Sequence, residues 1–384
     1  MKRKNVCLLT QEYLKGATWV YCYHLASELK KEQIWEPHII AAEKKDSTES
    51  KFGKNISLKL VATSSSKLFY SRNFWRKSST VVNKIKPEIV HGNMNLLSSL
   101  GIKDDYPIIE TVHTTFSRER RGAKSEPFHS LSWVEKRVLL LYPWLKKIEM
   151  RLLKRARHII AVSETIKNEL MTNYSISEEK ITVIPNGVDL TTHHRTSKKL
   201  YTKKEDEFVL GFLGRMTAGK GAKLLFPIIR KVKKSIPNVK LLLAGDDLNT
   251  RTDIRKIIKN HSLEENIVDF GYIYDIEKKN AFLSSLDVFL LPSSHEGMNL
   301  TLLEALACQV PIISTPQAAT FDHNDTIILA PREIQDIADK IIELNQNKQT
   351  LDTIREKSLK IAEKYSWKET VNLTQKVYEK VLIG

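Results

Sequence analysis

Short apolar runs alternate with amphipathic stretches along most of the 384-residue chain. In the first half, apolar runs bounded by polar or turn-forming residues predict strands at 6–10, 37–43, 88–92, 107–113, 158–163 and 181–187. After a lysine-rich connection the alternation returns, with runs at 208–215, 239–246, 266–272, 288–293, 310–316 and 326–330. Apolar strands between helical patterns are typical of parallel sheets that are covered on both faces.

The two series of strands predict an α/β protein with two Rossmann-like, doubly wound domains and a deep cleft between them. The length also exceeds what one ordinary core organises, which favours two domains. We place the first domain at 1–190, the second at 191–366 and a closing amphipathic helix at 367–384. Ligands of such sheets bind beyond the carboxyl ends of the strands, so residues directly after each strand are the candidates for a site.

The stretch GRMTAGKG, residues 214–221, follows an apolar run and precedes a predicted helix. It carries two cations, Arg215 and Lys220, at the start of that helix. A guanidinium, an ammonium and a helix dipole together can hold a diphosphate. The loop is not a Walker A motif, because its spacing differs and no serine or threonine follows the lysine. The alternative is a glycine-containing turn with exposed cations.

The stretch SSHEGMNLTLLEALACQVPII, residues 293–313, places Glu296 in a polar turn and Glu304 eight positions later. Thr301 and Glu304 fit a capping box, in which both side chains bond amides of the first helical turn. Alternatively, Glu304 accepts hydrogen bonds from vicinal ribose hydroxyls, and Glu296 binds the sugar that a diphosphate carries. The amides of residues 297–300 would point toward that same group. Capping and ligand binding by Glu304 are compatible.

Three further residues are candidates because they follow predicted strands. His113 ends an apolar run, where its imidazole could face a cleft and bond a sugar hydroxyl. A core or surface histidine is the alternative interpretation. Gly16 lies in the loop after the first strand, and Tyr272 ends the run that contains DFGY.

The formal net charge is +16 and is uneven, since residues 1–190 hold 32 Lys/Arg against 20 Asp/Glu. Residues 51–87 carry nine Lys/Arg and no acid, and residues 118–157 carry twelve against four. Such patches indicate a solubilising surface or contact with an anionic partner. Aromatic and cationic residues are interleaved in segment 69–79, so we expect it to touch an anionic membrane or a phosphate-bearing acceptor. Residues 143–157 fit a core helix with a solvated face at least as well as they fit a membrane contact.

The three cysteines are widely spaced, which favours a reducing compartment over a disulfide framework or a zinc site. The N-terminal apolar run is too short for a secretory signal, and no run of about 18 apolar residues predicts a membrane span. We therefore expect a cytoplasmic protein that is peripheral at the inner face of the membrane if the basic patches contact it.

Six motifs occur in a fixed order along most of the chain: ARHIIAVSETIKNEL, KITVIPNGVDL, FLGRMTAGKG, LLLAGD, DFGY and SSHEGMNLTLLEALACQVPII. The ordered set resembles the retaining glycosyltransferases of family 4, which have the GT-B fold. This resemblance implies that Arg215 and Lys220 bind the diphosphate of a nucleotide-sugar donor. It also implies that Glu304 binds the ribose and that Glu296 binds the transferred sugar.

The remaining site residues follow from the same resemblance. The helix-start amides at the sugar would be those of Gly297, Met298, Asn299 and Leu300. Tyr272 and Ile273 would flank the base. His113 would lie near the sugar and act in catalysis with Arg215, Lys220 and Glu296, and Gly16 would lie close to donor and acceptor.

The resemblance also implies a reaction. A sugar would move from a nucleoside diphosphate, UDP in preference to GDP, to a hydroxyl of a lipid-linked, cell-envelope polymer or other anionic acceptor bound by the basic N-terminal domain. The closing helix would pack back on that domain. No cofactor or metal is expected, and we interpret Asp246 and Asp247 as turn residues rather than metal ligands. The chain departs from the family's glycine-rich turn at Met298 and Asn299, which bears on the choice of sugar.

Other functions fit parts of the pattern. A nucleotide-sugar epimerase or a sugar phosphorylase of the same fold would need the same donor site. A nucleic-acid-binding protein would account for the positive charge but would leave Glu296 and Glu304 without a role. A nicotinamide dehydrogenase is disfavoured because no G-x-G-x-x-G motif follows the first strand.

Overall fold

A computed structural model describes residues 3–14, 16–43, 50–52, 56–63, 70–93, 97–124, 127–128, 131–245, 251–323 and 326–383. These residues form two compact units. The first unit holds the chain up to Ser117, Tyr142–Gly187 and the C-terminal segment from Trp367. The second unit holds Arg118–Leu141 and Val188–Ser366. Segment 118–141 therefore packs with the second unit, although it precedes residue 190 in the chain.

The first unit is built on one eight-stranded sheet. Its strands are β1 (Lys4–Thr10), β2 (Trp35–Glu43), β3 (Ser50–Phe52), β4 (Ile56–Ala62), β5 (Ile89–Asn93), β6 (Ile108–Val112), β7 (His158–Ala161) and β8 (Ile181–Val183). The spatial order is β3-β4-β2-β1-β5-β6-β7-β8, and every pair is parallel except β3 with β4. Strands β5 and β6 are buried along their length and β1 is buried from Val6 onward, as expected for a sheet covered on both faces.

The second unit contains a six-stranded, fully parallel sheet. Its strands are β9 (Phe208–Leu213), β10 (Val239–Ala244), β11 (Ile267–Asp269), β12 (Val288–Leu291), β13 (Ile312–Ser314) and β14 (Ile327–Leu329). The order β11-β10-β9-β12-β13-β14 is that of a Rossmann sheet, and the direction of winding reverses between β9 and β12. The two sheets confirm the predicted α/β class with two Rossmann-like domains.

Helices connect the strands in both units. They are α1 (Ala17–Lys31), α2 (Tyr70–Ile85), α3 (Phe116–Lys124), α4 (Trp133–Arg155), α5 (Glu164–Tyr174), α6 (Leu225–Val232), α7 (Arg251–Asn260), α8 (Ile276–Ser284), α9 (Leu300–Ala307), α10 (Ile334–Gln346), α11 (Lys348–Lys364) and α12 (Trp367–Ile383). Among these described helices, none combines the length and the apolar character needed to cross a membrane.

The closing helix α12 belongs to the first unit. Tyr378 is fully buried there, and its hydroxyl lies 2.6 Å from Nδ1 of the buried His91. The rings of Tyr378 and Trp35 meet edge to face with centroids 5.0 Å apart. Moving α12 away would leave the buried hydroxyl of Tyr378 and the buried imidazole of His91 without this hydrogen bond, which is costly. The pair therefore helps to hold α12 in position.

Two strands of the first sheet, β3 and β4, were not among the predicted strands. They lie in the basic stretch 51–87, where lysines at 51, 54 and 59 interrupt the apolar pattern. Strand β4 alternates instead, with Ile56 and Leu58 buried and Lys59 only partly buried. This alternation is the period of a strand that buries one face, and the high charge of the segment obscured it.

Helix α2 turns inward the described aromatic residues of segment 69–79, the segment expected to touch an anionic membrane or a phosphate-bearing acceptor. Phe74 is fully buried, and Tyr70 and Trp75 pack against the same core cluster of the first unit. Phe69 lies outside the described residues. The interleaved pattern comes from helical periodicity, which places the aromatic side chains inward and cations such as Arg72 outward.

Replacing Phe74 with alanine therefore tests whether the segment is core or surface. We expect Phe74→Ala to lower the free energy of unfolding by about 3–5 kcal/mol, because it leaves a cavity in the core. Arg72→Ser, on the exposed side of the same helix, should change it by less than about 0.5 kcal/mol. Denaturant unfolding of the two variants measures both values, and equal small effects would contradict the core assignment.

Candidate functional site

Two loops leave the carboxyl ends of neighbouring strands in the second unit. Strands β9 and β12 pair in parallel, with Leu210 opposite Val288 and Gly211 opposite Phe289. The loop 214–221 follows β9, and the turn 292–299 follows β12. This is the point where the winding direction of the sheet reverses, and open α/β sheets bind their ligands at such points.

The two loops are held together mainly through backbone atoms. The amide of Ser294 donates to the carbonyl of Gly219 at 2.8 Å. Gly221 has φ +72°, and a Cβ atom there would lie 2.2 Å from the carbonyl oxygen of Pro292. Only glycine satisfies both conditions, so the glycine lets the loop approach the turn. Arg332 donates to the carbonyls of Pro292 and Ala218, each at 3.1 Å, and so fixes both loops from one side.

Lys220 and Glu296 form an ion pair across these loops. The Nζ atom of Lys220 lies 2.6 and 2.7 Å from the two carboxylate oxygens of Glu296. The Glu296 side chain is buried, and burial by itself raises the pKa of a carboxyl group. The charge of Lys220 and its hydrogen bonds outweigh that effect and hold the pKa of Glu296 below its ordinary value. Glu296 is therefore ionised near neutral pH.

Helix α9 begins with a side-chain cap that differs from the predicted one. The cap is Asn299, whose Oδ1 accepts hydrogen bonds from the amides of Thr301 at 2.9 Å and Leu302 at 3.3 Å. The predicted capping box of Thr301 and Glu304 is wrong, because the helix starts at Leu300 and Glu304 then lies in its second turn. Asparagine is among the strongest N-cap residues, so Asn299 accounts locally for the start of the helix.

Glu304 lies in α9, and its carboxylate is buried against two basic side chains. Its Oε1 atom accepts a hydrogen bond from Lys279 Nζ at 2.8 Å, and His193 Nε2 lies 3.4 Å from the same atom. Burial raises the pKa of Glu304, but the effects of Lys279 and His193 outweigh burial and lower the pKa to about 2. The carboxylate is thus ionised at neutral pH. An ionised carboxylate is an acceptor only, and it suits the vicinal hydroxyls of a ribose.

Segment 118–141 also reaches the turn that contains Glu296. Arg118 is buried, and its Nη2 donates to the carbonyl oxygen of Glu296 at 2.9 Å. A Cβ atom on Gly122 would lie 2.1 Å from Cε1 of His295, so this glycine permits α3 to pack on the turn. Burial lowers the pKa of His295 to about 4, with smaller contributions from Lys220 and other nearby cations, so His295 is neutral at pH 7.

Arg215 is exposed on the loop after β9. Its charge acts on Glu119 of α3, where it lowers a pKa that burial raises. The candidate site of the second unit therefore gathers four cations around Glu296 and the two loops. They are Arg118, Arg121, Arg215 and Lys220.

The predicted base-binding residues follow β11. Tyr272 and Ile273 come after Gly271, whose φ of +67° turns the chain out of the strand. The rings of Tyr272 and Tyr274 lie with centroids 4.2 Å apart, and Tyr274 is 64% exposed. Gly245 donates its amide to the carbonyl of Gly271 at 2.8 Å, which links the ends of β10 and β11. Asp246 and Asp247 lie outside the described residues.

The predicted turn residues 297–300 surround the helix cap. The Gly297 carbonyl accepts a hydrogen bond from the Thr320 hydroxyl, and the Met298 side chain is buried. Leu300 is the first residue of α9. The amides of residues 297–300 lie outside the helical hydrogen bonding, because these residues precede α9 or begin it.

Gly16 and His113 belong to the first unit. Gly16 is the N-cap of α1 with φ +82°, and a Cβ atom there would lie 2.2 Å from Glu12 Oε2. Glu12 accepts a hydrogen bond from the amide of Thr18, so it occupies the start of that helix. His113 Nε2 lies 3.0 Å from Asn93 Oδ1, and burial lowers the pKa of His113 to about 4. His113 is therefore neutral at pH 7.

Sequence reasoning missed four residues that shape the candidate site: His193, Lys279, Arg118 and His295. The partners of Glu304 are distant in the chain and carry no recognisable spacing. Arg118 is part of RERR, which the sequence presents only as local charge. His295 stands beside Glu296 in the quoted motif, and this adjacency was the one available signal.

The cap of α9 generates a paired prediction. Asn299→Ala should lower the free energy of unfolding by about 0.5–2 kcal/mol, because two amides of the first turn lose their acceptor. Thr301→Ala serves as the matched control, since Thr301 is part of the capping box that the structure does not contain. Denaturant unfolding measures both variants. A larger loss of unfolding free energy for Thr301→Ala than for Asn299→Ala would contradict the Asn299 cap and support the capping box.

The low pKa of Glu304 generates a second prediction. A folded-state value of about 2 lies below the ordinary 4.5, so the ionised carboxylate stabilises the fold above pH 4.5. That contribution is lost as the pH falls toward 2. The thermal unfolding midpoint of Glu304→Gln should therefore lie below that of the original chain at pH 7, with a gap that narrows below pH 4.5. The exposed Glu333→Gln is the control, and a gap that widens in acid would contradict the ion pairing.

Two family models match the chain in succession. "Glycosyltransferase Family 4" matches residues 18–192, and "Glycosyl transferases group 1" matches residues 194–361. Among curated proteins, the phosphatidylinositol N-acetylglucosaminyltransferase GPI3 subunit of Saccharomyces cerevisiae is 25% identical over 248 residues. The match covers 62% of this chain and 54% of the yeast protein, so the chain spans about half the length of the curated relatives it matches.

Two solved structures resemble the whole chain. Sucrose-phosphate synthase from Thermosynechococcus elongatus superposes with a TM-score of 0.81 at 17% identity, covering 99% of this chain and 100% of that protein. HepE of Anabaena in complex with UDP-glucose has a TM-score of 0.72 at 16% identity, covering 98% of this chain and 100% of that protein. At these identities the likeness shows the fold. Together, the family matches and the fold show that the chain belongs to glycosyltransferase family 4 and has the GT-B fold.

Proposed function

We propose that this chain is a retaining glycosyltransferase that moves a sugar from UDP, in preference to GDP, to a hydroxyl of a lipid-linked or phosphate-bearing polymer acceptor. The observation that carries the proposal is one arrangement in the second unit. An ion-paired Lys220–Glu296 and an ionised Glu304 follow β9 and β12, beside the point where the winding of the sheet reverses. This arrangement offers cations for a diphosphate and separate carboxylates for a ribose and a sugar.

The diphosphate would be bound by Lys220 and Arg215. An ammonium group has three donors, and Lys220 gives two short contacts to Glu296, so a third can reach a phosphate oxygen. Arg215 is exposed on the same loop and adds a guanidinium. The amides that precede the capped start of α9 add partial positive charge. These groups would stabilise the leaving diphosphate, so the proposal includes no metal and no cofactor.

The nucleoside would be bound by Glu304 and the segment after β11. Both basic partners of Glu304 contact Oε1, so the carboxylate is held in one orientation and stays ionised. In that state it can accept hydrogen bonds from both ribose hydroxyls. Tyr272 and Ile273 would flank the base, with the backbone bend at Gly271 setting their position.

The sugar would lie at Glu296 and the amides of residues 297–300. Arg118 fixes the Glu296 carbonyl and Lys220 fixes its carboxylate, so the turn is held before any donor binds. In the reaction, the bond between the anomeric carbon and the phosphate oxygen breaks, and the acceptor oxygen forms its bond on the same face. The departing phosphate takes the acceptor proton. As the family resemblance implies, Gly16 of the first unit would lie close to donor and acceptor, and His113 would lie near the sugar.

Names of similar proteins support the choice of donor and acceptor. HepE is described in complex with UDP-glucose, which favours UDP as the nucleotide. The yeast relative is named for phosphatidylinositol and N-acetylglucosamine, which favours an acceptor attached to a lipid. The excess of basic residues in the first half of the chain suits a phosphate-bearing acceptor. Such an acceptor would place the enzyme at a membrane surface.

Nucleotide-sugar binding provides the test. Isothermal titration should show binding of at least one UDP-sugar, tighter than the matching GDP-sugar. Glu304→Ala should weaken it by about tenfold to a hundredfold, because the ribose hydroxyls lose a charged acceptor. Glu333→Ala, an exposed acid in the same unit, is the control and should bind as the original chain does.

Product analysis by proton NMR separates the remaining possibilities. With an acceptor present, the proposal expects a glycoside with the anomeric configuration of the donor. Conversion of the donor sugar without any acceptor would indicate an epimerase and overturn the transferase assignment. Failure of every UDP- and GDP-sugar to bind the folded chain would overturn the proposed donor site.

A further inference from the structure

An exposed apolar surface lies on segment 118–141 of the second unit. Thirteen large hydrophobic side chains are exposed among the described residues, and five of them fall between positions 128 and 141. They are Phe128 (54%), Trp133 (52%), Val134 (52%), Leu140 (70%) and Leu141 (42%). Such a concentration within 14 positions marks a binding surface rather than scattered exposure.

The four of these residues that belong to helix α4 do not lie on its core-facing side. Val138 is buried, and Leu139 packs against a separate cluster of Ala123, Leu131 and Ala218. Helix α4 therefore already buries one face within the second unit. The exposed apolar residues are additional to that core, and a clustered exposed apolar surface is typical of a binding site.

The described charges that this segment exposes have one sign. Among its described residues, every exposed charged side chain is a cation: Arg121, Lys124 and Arg137. The two described acids of the segment, Glu119 and Glu135, are turned inward. Glu135 accepts hydrogen bonds from the amides of Ser132 at 2.8 Å and Gly219 at 3.4 Å, and burial dominates the pKa of Glu119.

Two cations also make cation–π contacts with aromatic rings of this segment. The guanidinium of Arg137 lies 4.9 Å from the ring centroid of Trp133, and Lys136 Nζ lies 5.3 Å from that of Phe128. Positive charge and apolar surface are therefore mixed within one patch. A partner must accept both at the same place, and the interface of an anionic bilayer does so with its headgroups and acyl chains.

We propose that this surface, formed by Phe128, Trp133, Val134, Leu140 and Leu141 with Lys136 and Arg137, docks on an anionic lipid bilayer. A second copy of the chain is a poor occupant, because symmetric contact would bring cation against cation. Nucleic acid can stack on the aromatic rings but offers no hydrocarbon for the valine and the two leucines. The aromatic residues of this surface are exposed, whereas the described aromatic residues of segment 69–79 pack on the core.

Vesicle sedimentation with the full chain tests the proposal. We expect binding to phosphatidylcholine vesicles that contain about one third phosphatidylglycerol, and much weaker binding to phosphatidylcholine alone or at high salt. Trp133→Ser with Leu140→Ser should lower the partition coefficient about tenfold or more, because two apolar anchors are lost. Lys136→Ser with Arg137→Ser should lower it by about tenfold at low salt.

The control variants use exposed residues elsewhere in the chain. Ile34→Ser with Ile383→Ser removes two exposed apolar side chains, and Lys198→Ser with Lys234→Ser removes two cations. Both control pairs should sediment with vesicles as the original chain does. Equal losses in test and control pairs would overturn the proposal, as would the absence of binding to anionic vesicles at low salt. In that second case an acidic protein partner would be the occupant to seek.

A site-specific probe adds a readout that does not depend on affinity. The three native cysteines are buried, so a cysteine introduced as Leu140→Cys can be labelled with an environment-sensitive fluorophore. Its emission should shift to the blue with anionic vesicles, and the same label at Ile383→Cys should not shift. No shift at position 140 would contradict docking through this surface. Nucleotide-sugar titrations without vesicles should be unaffected by these variants, so the two proposals can fail independently.

Discussion

The parallel pairing of β9 with β12 is the constraint on which the candidate site depends. The chain passes from β9 to β10 on one side and from β12 to β13 on the other, so the loops after these two strands diverge above the sheet edge. Gly221 then lets the first loop touch the backbone at Pro292. The ion pair of Lys220 with Glu296 depends on that approach, because the two side chains belong to these two loops.

Two buried carboxylates give the site its electrostatic character. Burial of Glu296 and Glu304 opposes their ionisation, and in each case a lysine from another segment overcomes it. Lys220 belongs to the loop after β9, and Lys279 belongs to α8. Each carboxylate is therefore ionised and can accept hydrogen bonds. Rotating it away would separate it from its lysine and leave a buried charge without a partner. This preorganisation suits the recognition of hydroxyl groups, which are weak partners for mobile carboxylates.

Segment 118–141 links two aspects of the molecule. Its inner residues reach the turn of Glu296 through Arg118 and the close packing of Gly122 on His295. Its outer residues form the apolar and cationic surface around Trp133. One segment thus supports the proposed donor site through its inner residues and carries the proposed bilayer contact on its outer ones.

The sequence by itself determined the strand alternation, the two Rossmann-like halves and the glycine and charged residues that follow β9 and β12, since these depend on local period and turn chemistry. The sequence suggested Thr301 as the cap of α9, because Thr301 and Glu304 have the spacing of a capping box. It also did not show that the aromatic residues of α2 face the core, because aromatic residues interleaved with cations occur on core-packed helices and on exposed ones. Only tertiary structure decided that Asn299 caps α9 and that Lys279 and His193 hold Glu304. Such partners are chosen by packing between segments distant in the chain, and no local pattern records that choice.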